Sequence, residues 1–207
     1  MFEIDTTIRR GIFDNTKRSL KINSQFIEFK EDDLIASPPT RFMKDDIAEF
    51  CFGSYPIRGI YFYVGRQFEF RIRDNNQKVI KISFKYYYGI RSKELRKLYL
   101  DIFNALWSFY FGVQAAQFIE RFNAGKIVRI GEVGMTENGI HFEDKGLIIP
   151  WPLLGIKFYA EHFTIYSKNN SQTVSRSFYF IDNWNTAVLA SVVEEILKLK
   201  DPIRIPG

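Results

Sequence analysis

Two periods alternate along the chain, and each is heard twice. From Val128 to Ile181 apolar residues fall at every second position in short runs, "VRI", "VGM", "GIHF", "LIIPW", "GIKFY", "HFTIYS" and "SRSFYFI". That period belongs to half-buried β-strands. Asn138-Gly139 between the first of these runs predicts a tight hairpin, Pro150 and Pro152 stop the third strand, and "NNSQ" predicts a loop. After Asn183-Trp184-Asn185 the spacing changes to three and four, through Val188, Leu189, Val192, Val193, Ile196 and Leu197, which predicts one amphipathic helix capped at Asn183 or Asn185. The first half has the same order. "LKINSQFIEF" at 20–29 aligns with "VGMTENGIHF" at 133–142, so that Leu20, Ile22, Ile27 and Phe29 fall on Val133, Met135, Ile140 and Phe142. "FMKDDIAEFCF" aligns with "IIPWPLLGIKF", and "QFEFRIRDNNQKV" with "EHFTIYSKNNSQTV". "ELRKLYLDIFNAL" then aligns with "VLASVVEEILKL", placing Leu98, Tyr99, Ile102 and Phe103 on Val192, Val193, Ile196 and Leu197.

The first copy carries two extra stretches, "EDDLIASPPT" at 31–40 and "GSYPIRGIYFYVG" at 53–65. Its helix also runs on: behind a cap at Ser92 the helical spacing persists through Val113, Phe118 and Phe122 to a stop at Gly125, with Gly112 as a point of bending. The expected plan is a first domain over 1–110, a helical connector over 111–125 and a second domain over 126–207.

Composition agrees with a packed, sheet-rich chain: 46% of the 207 residues are hydrophobic, and 21 Phe with 11 Tyr favour strands. No apolar run is long enough for a secretory leader or a membrane span, and the single Cys51 excludes an internal disulfide framework. These features point to a cytoplasmic protein. The charge is lopsided. Residues 1–112 hold 19 Lys/Arg against 14 Asp/Glu, whereas 113–207 hold ten of each. An anionic partner for the first half is the physical implication.

Catalytic and metal signatures are missing. The chain has no Gly-rich phosphate loop, no G-x-S-x-G, no H-E-x-x-H and no C-x-x-C. His141 and His162 sit on expected strands without neighbouring cysteines, Cys51 between two phenylalanines reads as a core thiol, and Trp151 and Trp184 read as packing anchors. Asp32-Asp33 and Asp45-Asp46 read as charged loops. Neither cofactor nor metal is expected.

A run of antiparallel strands closed by one C-terminal helix, with a Trp near the end of the third strand, resembles the pleckstrin-homology-like superfamily, in particular its bacterial members. The resemblance covers roughly 15–110 and 126–199. It implies a mainly β protein with helices: two antiparallel barrels in tandem, each plugged by its C-terminal helix, the second through Val188, Leu189, Val192 and Ile196. It also implies binding rather than catalysis, of phosphoinositides at the first hairpin loop or of peptides along a sheet edge beside the helix. The loops in question, Asn23-Ser24-Gln25 and Thr136 to Gly139, lack the converging bases that an inositol phosphate requires.

One cationic constellation stands out. Residues 66–97 hold ten Lys/Arg and three acids. If Phe68, Phe70, Ile72, Ile80, Ile82 and Phe84 face inward, the strand period turns Arg71, Arg73, Lys81 and Lys85 outward onto one exposed face. A non-enzymatic interaction protein follows, an adaptor or neutralising partner that meets an acidic protein surface. The alternative is a peripheral binder of anionic membrane through the same face. Nucleic acid is disfavoured because no exposed aromatics interleave with these bases.

Overall fold

A computed structural model describes residues 3–11, 14, 16–31, 38–142, 146–170 and 174–200. Asp32, Asp33 and Gln172 of the stretches named above lie outside them. The chain divides into two compact units, Met1–Phe111 and Gly112–Gly207.

In the first unit, strands β1 (Ile4–Ile8), β2 (Arg18–Ile22), β3 (Phe26–Lys30) and β4 (Thr40–Met43) form an antiparallel meander. A single 3-10 turn, Lys44–Asp46, leads into a second meander of β5 (Ile47–Arg58), β6 (Tyr63–Asp74) and β7 (Val79–Tyr87). Helix α1 (Ser92–Leu106) and a π-helical turn (Trp107–Phe111) complete the unit. Alternation explains the strands. On β6 and β7, Phe68, Phe70, Ile72, Ile80, Ile82, Phe84 and Tyr86 are all buried, and the intervening residues take the other face. The core they form is aromatic: Phe68 stacks on Tyr99 of α1 at 4.3 Å between centroids, and Phe50 stacks on Phe111 at 3.8 Å.

The second unit opens with α2 (Gly112–Asn123). It continues with the meander β8 (Val128–Ile130), β9 (Val133–Thr136), β10 (Gly139–Phe142) and β11 (Leu147–Pro150), and a 3-10 turn at Trp151–Leu153. The meander β12 (Leu154–Phe158), β13 (His162–Ser167) and β14 (Ser175–Tyr179) precedes α3 (Thr186–Lys200). Val188, Val192, Val193 and Ile196 of α3 are buried, as the spacing predicts, and α2 packs on α3. The 111–125 stretch is therefore divided: Phe111 closes the first unit, and α2 joins the core of the second through Ala115 and Phe122. Trp151 anchors that core, donating from Nε1 to the Thr136 carbonyl at 2.9 Å while Phe122 meets its ring edge-on.

The register of the aligned hairpins is the same in both units. Ile22 faces Ile27 and Leu20 faces Phe29, just as Met135 faces Ile140 and Val133 faces Phe142. All eight are buried.

The expectation of two closed barrels is wrong. Among the described residues the strands form four separate open antiparallel sheets, two per unit, and no ladder joins one sheet to another. Closure fails for a local reason. The 3-10 turns at 44–46 and 151–153 break the ladder between consecutive meanders. At the other edge of the first unit a single backbone bond, Lys85 N–H to the Arg10 carbonyl at 2.9 Å, stands where a barrel would need a continuous ladder.

Two details of the helices also differ. The cap of α1 is Arg91, held at φ 49°, one residue before Ser92. Phe103, expected to be fully buried, is half-buried, whereas Ile102, Ala105 and Leu106 are the buried residues of α1. Of the expected Leu98/Tyr99/Ile102/Phe103 face only Ile102 is fully buried, because the neighbouring sheet already supplies rings (Phe52, Phe68 and Phe70) that the long side chains of Tyr99 and Phe103 meet from the flank. The stop at Gly125 is as expected. Its φ is 74°, and the bonds from Gly125 N–H to the Phe122 carbonyl and from Lys126 N–H to the Arg121 carbonyl make a Schellman cap.

Candidate interaction surfaces of the first unit

The four bases singled out by alternation do lie on one face of the β5–β7 sheet, but they do not form a free cationic patch. Arg71 and Lys81 face each other across β6 and β7, and both reach Glu69, whose side chain is buried, at 3.5 and 3.0 Å. Arg73 pairs with Glu49 on β5, its direct cross-strand neighbour. The Arg71 and Arg73 side chains keep only 28% and 23% of their area in water, below the one third expected of an open patch. The register makes Glu69 the hub, because position 69 lies two residues from Arg71 on the same side of the sheet. Lys85 is exposed and has no acidic partner among the described residues.

The strongest surface feature is one that sequence alternation did not single out. β5 and β6 are each 12 residues long and end in a hairpin closed by Gly59 N–H donating to the Phe62 carbonyl at 2.7 Å. Ile60 and Tyr61 form its tip and are 86% and 93% exposed, and Phe62 and Tyr63 beside them are exposed as well. The turn does not require these residues: neither Ile60 nor Tyr61 adopts a positive φ, the conformation that two-residue hairpins reserve for Asn or Gly. Nor does the core use them. Gly59 is needed, since a Cβ there would come within 2.9 Å of the Phe62 carbonyl oxygen. Tyr88, whose N–H bonds the Val64 carbonyl at 2.9 Å, and Ile90 add exposed apolar area near the base of the hairpin. Between Gly53 and Phe68 there is no acid, only Arg58 and Arg66. A signal for this prong was present in the sequence. "IYFYV" between Gly59 and Gly65 is five consecutive apolar residues in a strand region where one face should be polar.

The other residues weighed from sequence take structural places. Cys51 is buried on β5. His141 meets the Thr136 hydroxyl at 3.1 Å, and His162 stacks between Tyr159 and Tyr179. Among the described residues no cluster of three His, Cys, Asp or Glu could hold a metal, and no helix is long and apolar enough to cross a membrane. The titrations that shift all move away from neutrality. The Arg10 backbone N–H, with help from the Thr16 N–H and the Arg18 guanidinium, lowers Asp14 to about 2 against the cost of its burial. Burial pushes the Tyr99 and Tyr110 hydroxyls well above the ordinary phenol range, and Glu194 followed by Glu195 raises Lys198.

No protein-family model, no curated protein and no solved structure matches the chain.

Proposed function

We propose that the chain is a non-enzymatic protein-binding module, an adaptor or neutralising partner, whose first unit engages another protein through the β5–β6 prong. The observation that carries this reading is the tip itself. Four consecutive large apolar residues, Ile60 to Tyr63, stand in water on a rigid two-stranded ribbon. They stabilise neither turn nor core, and such patches mark interaction sites. Tyr and Phe are also the residues that anchor protein interfaces, at the centre of a contact and inside a pocket of the partner. The cationic, acid-free surround from Gly53 to Phe68 suits a partner with an apolar cleft and an acidic rim. Duplication of one ancestral unit accounts for the shared order and register of the two halves. The longer β5–β6 ribbon of the first copy is then the part that diverged toward binding, and the setting is cytoplasmic.

A photo-crosslinking amino acid at position 61, activated in the native cell, should give a discrete protein adduct. The same experiment with Phe62→Asp should not. Both variants should melt like the wild type, because exposed side chains contribute within about 0.5 kcal/mol. The second reading, an anionic membrane, is favoured by the pairing of interfacial aromatics with Arg58. It replaces the first if position 61 labels lipid and the chain sediments with phosphatidylglycerol vesicles in a salt-sensitive way.

A further inference from the structure

A second site lies elsewhere on the first unit. Between the free edge of β1, the end of β7 and the first turn of α1 is a cavity of about 620 Å³, within the range of roughly 300–1,000 Å³ typical of small-molecule sites. Lys85 N–H bonded to the Arg10 carbonyl ties β7 to the segment after β1 beside it. Four cations line it: Arg9, Lys17, Lys85 and Arg91.

Their clustering is what distinguishes them. Several cations elsewhere in the unit are matched, Arg18 with Asp14, Lys21 with Asp5, Arg41 with Glu28, Arg73 with Glu49 and Lys97 with Asp101, and the bases that pair with no acid among the described residues, such as Lys44, Arg58 and Lys78, do not line this cavity. In the cavity only Arg91 is matched, by Glu94, while Arg9, Lys17 and Lys85 have no acidic partner among the described residues. Three like charges gathered around one concavity gain nothing for folding and raise the local potential for an anion. The three come from chain positions 9, 17 and 85, so the fold itself brings them together. The first turn of α1 adds backbone donors, since its cap makes no side-chain hydrogen bond. The lining also has an apolar part: Ile8 and Tyr86 are buried beneath it, Leu95 and Leu98 are half-buried and Ile90 is exposed. Thr6 and Thr7 complete the lining.

We infer that this cavity binds a phosphate monoester carrying an apolar organic group, its dianion held by Arg9, Lys17 and Lys85 and its body against Ile90, Leu95 and Leu98. A dianion is preferred because one negative charge would leave two of the three unpaired cations unneutralised. An organic body is preferred because the phosphate alone would leave Ile90 and the open parts of Leu95 and Leu98 in water.

Calorimetric titration of the full chain with 1-naphthyl phosphate, 1-naphthol and inorganic phosphate tests both halves of the assignment. The expected order places naphthyl phosphate at least about tenfold above either fragment, with affinity falling as NaCl is raised. Lys17→Glu and Lys85→Glu should each weaken binding about tenfold to hundredfold, as loss of a charge-assisted contact does, while Lys126→Glu, remote in sequence and in the other unit, should leave it unchanged. Tyr61→Asp should also leave it unchanged, which separates this site from the prong. Inorganic phosphate binding as tightly as naphthyl phosphate would overturn the amphiphile assignment. Absence of binding at millimolar ligand, or binding indifferent to Lys17→Glu and Lys85→Glu in variants that melt like the wild type, would overturn the site.

Discussion

Truncating two adjacent residues of α1 gives a sharp test of how that helix is turned. Ile102 is completely buried, whereas Phe103, the next residue, is half-buried and touches Phe52 at 4.8 Å and Trp107 at 6.1 Å between ring centroids. Ile102→Ala removes three carbons from a closed site. The lost transfer energy is about 2.4 kcal/mol, and the unfilled cavity adds to it, for a total of about 2–5 kcal/mol. Phe103→Ala removes a larger group, yet part of it already faces water. Roughly two thirds of the 1.5–3 kcal/mol for full burial, plus about 0.5–1 kcal/mol for the Phe52 contact, gives about 1.5–3 kcal/mol, and water entering from the open side limits the cavity cost. The smaller deletion should therefore cost more. Urea titrations followed by hydrogen exchange, read separately on peptides of β6 and of β13, would localise each loss to the first unit, since a two-unit chain need not unfold in one step. If Phe103→Ala costs as much as Ile102→Ala or more, the helix faces the sheet through a different stripe and the packing described for α1 is wrong.

Three further outcomes follow from single contacts. Asp14 has a folded pKa of about 2 against an ordinary 3.8. Its stabilisation is therefore present above about pH 4 and is lost as pH falls through 2. The acid limb of a stability–pH curve should flatten in Asp14→Asn, and an unchanged limb would contradict the hydrogen bonding of this carboxylate. Gly125→Ala meets no atom within 4 Å but must hold φ 74°, so the Tm of the second unit should fall by the equivalent of about 1–2 kcal/mol, and an equal Tm would contradict the Schellman cap. Trp151→Phe keeps a ring against Phe122 but deletes the donor to the Thr136 carbonyl, which should cost about 1–3 kcal/mol in denaturant unfolding, and a neutral result would show that water satisfies that carbonyl.

Much of this protein is written in local pattern. Periods of two and of three to four locate most of the strands and the helices, because which face is buried is a property that neighbouring residues already share: Ile22, Ile27, Met135 and Ile140 are inward by alternation, and Gly125 stops a helix by its own freedom at positive φ. Only the tertiary structure decided the rest. Closure of a sheet depends on whether distant edges such as β1 and β7 meet in a ladder, and among the described residues they do not, Lys85 N–H reaching instead the Arg10 carbonyl in the segment after β1. The fate of the bases depended on register. Alternation turns Arg71 and Arg73 outward correctly, but whether they are free is settled by Glu69 and Glu49 beside them, and charge pairing across strands has no one-dimensional signature. The prong was half legible, since "IYFYV" breaks the strand pattern, yet its exposure follows from the length of the β5–β6 ribbon. The cavity was not legible at all. Arg9 and Lys17 carry no signal of their own and Lys85 reads as part of the β6–β7 face, and only the fold places the three around one space whose acid, Glu94, is already paired with Arg91.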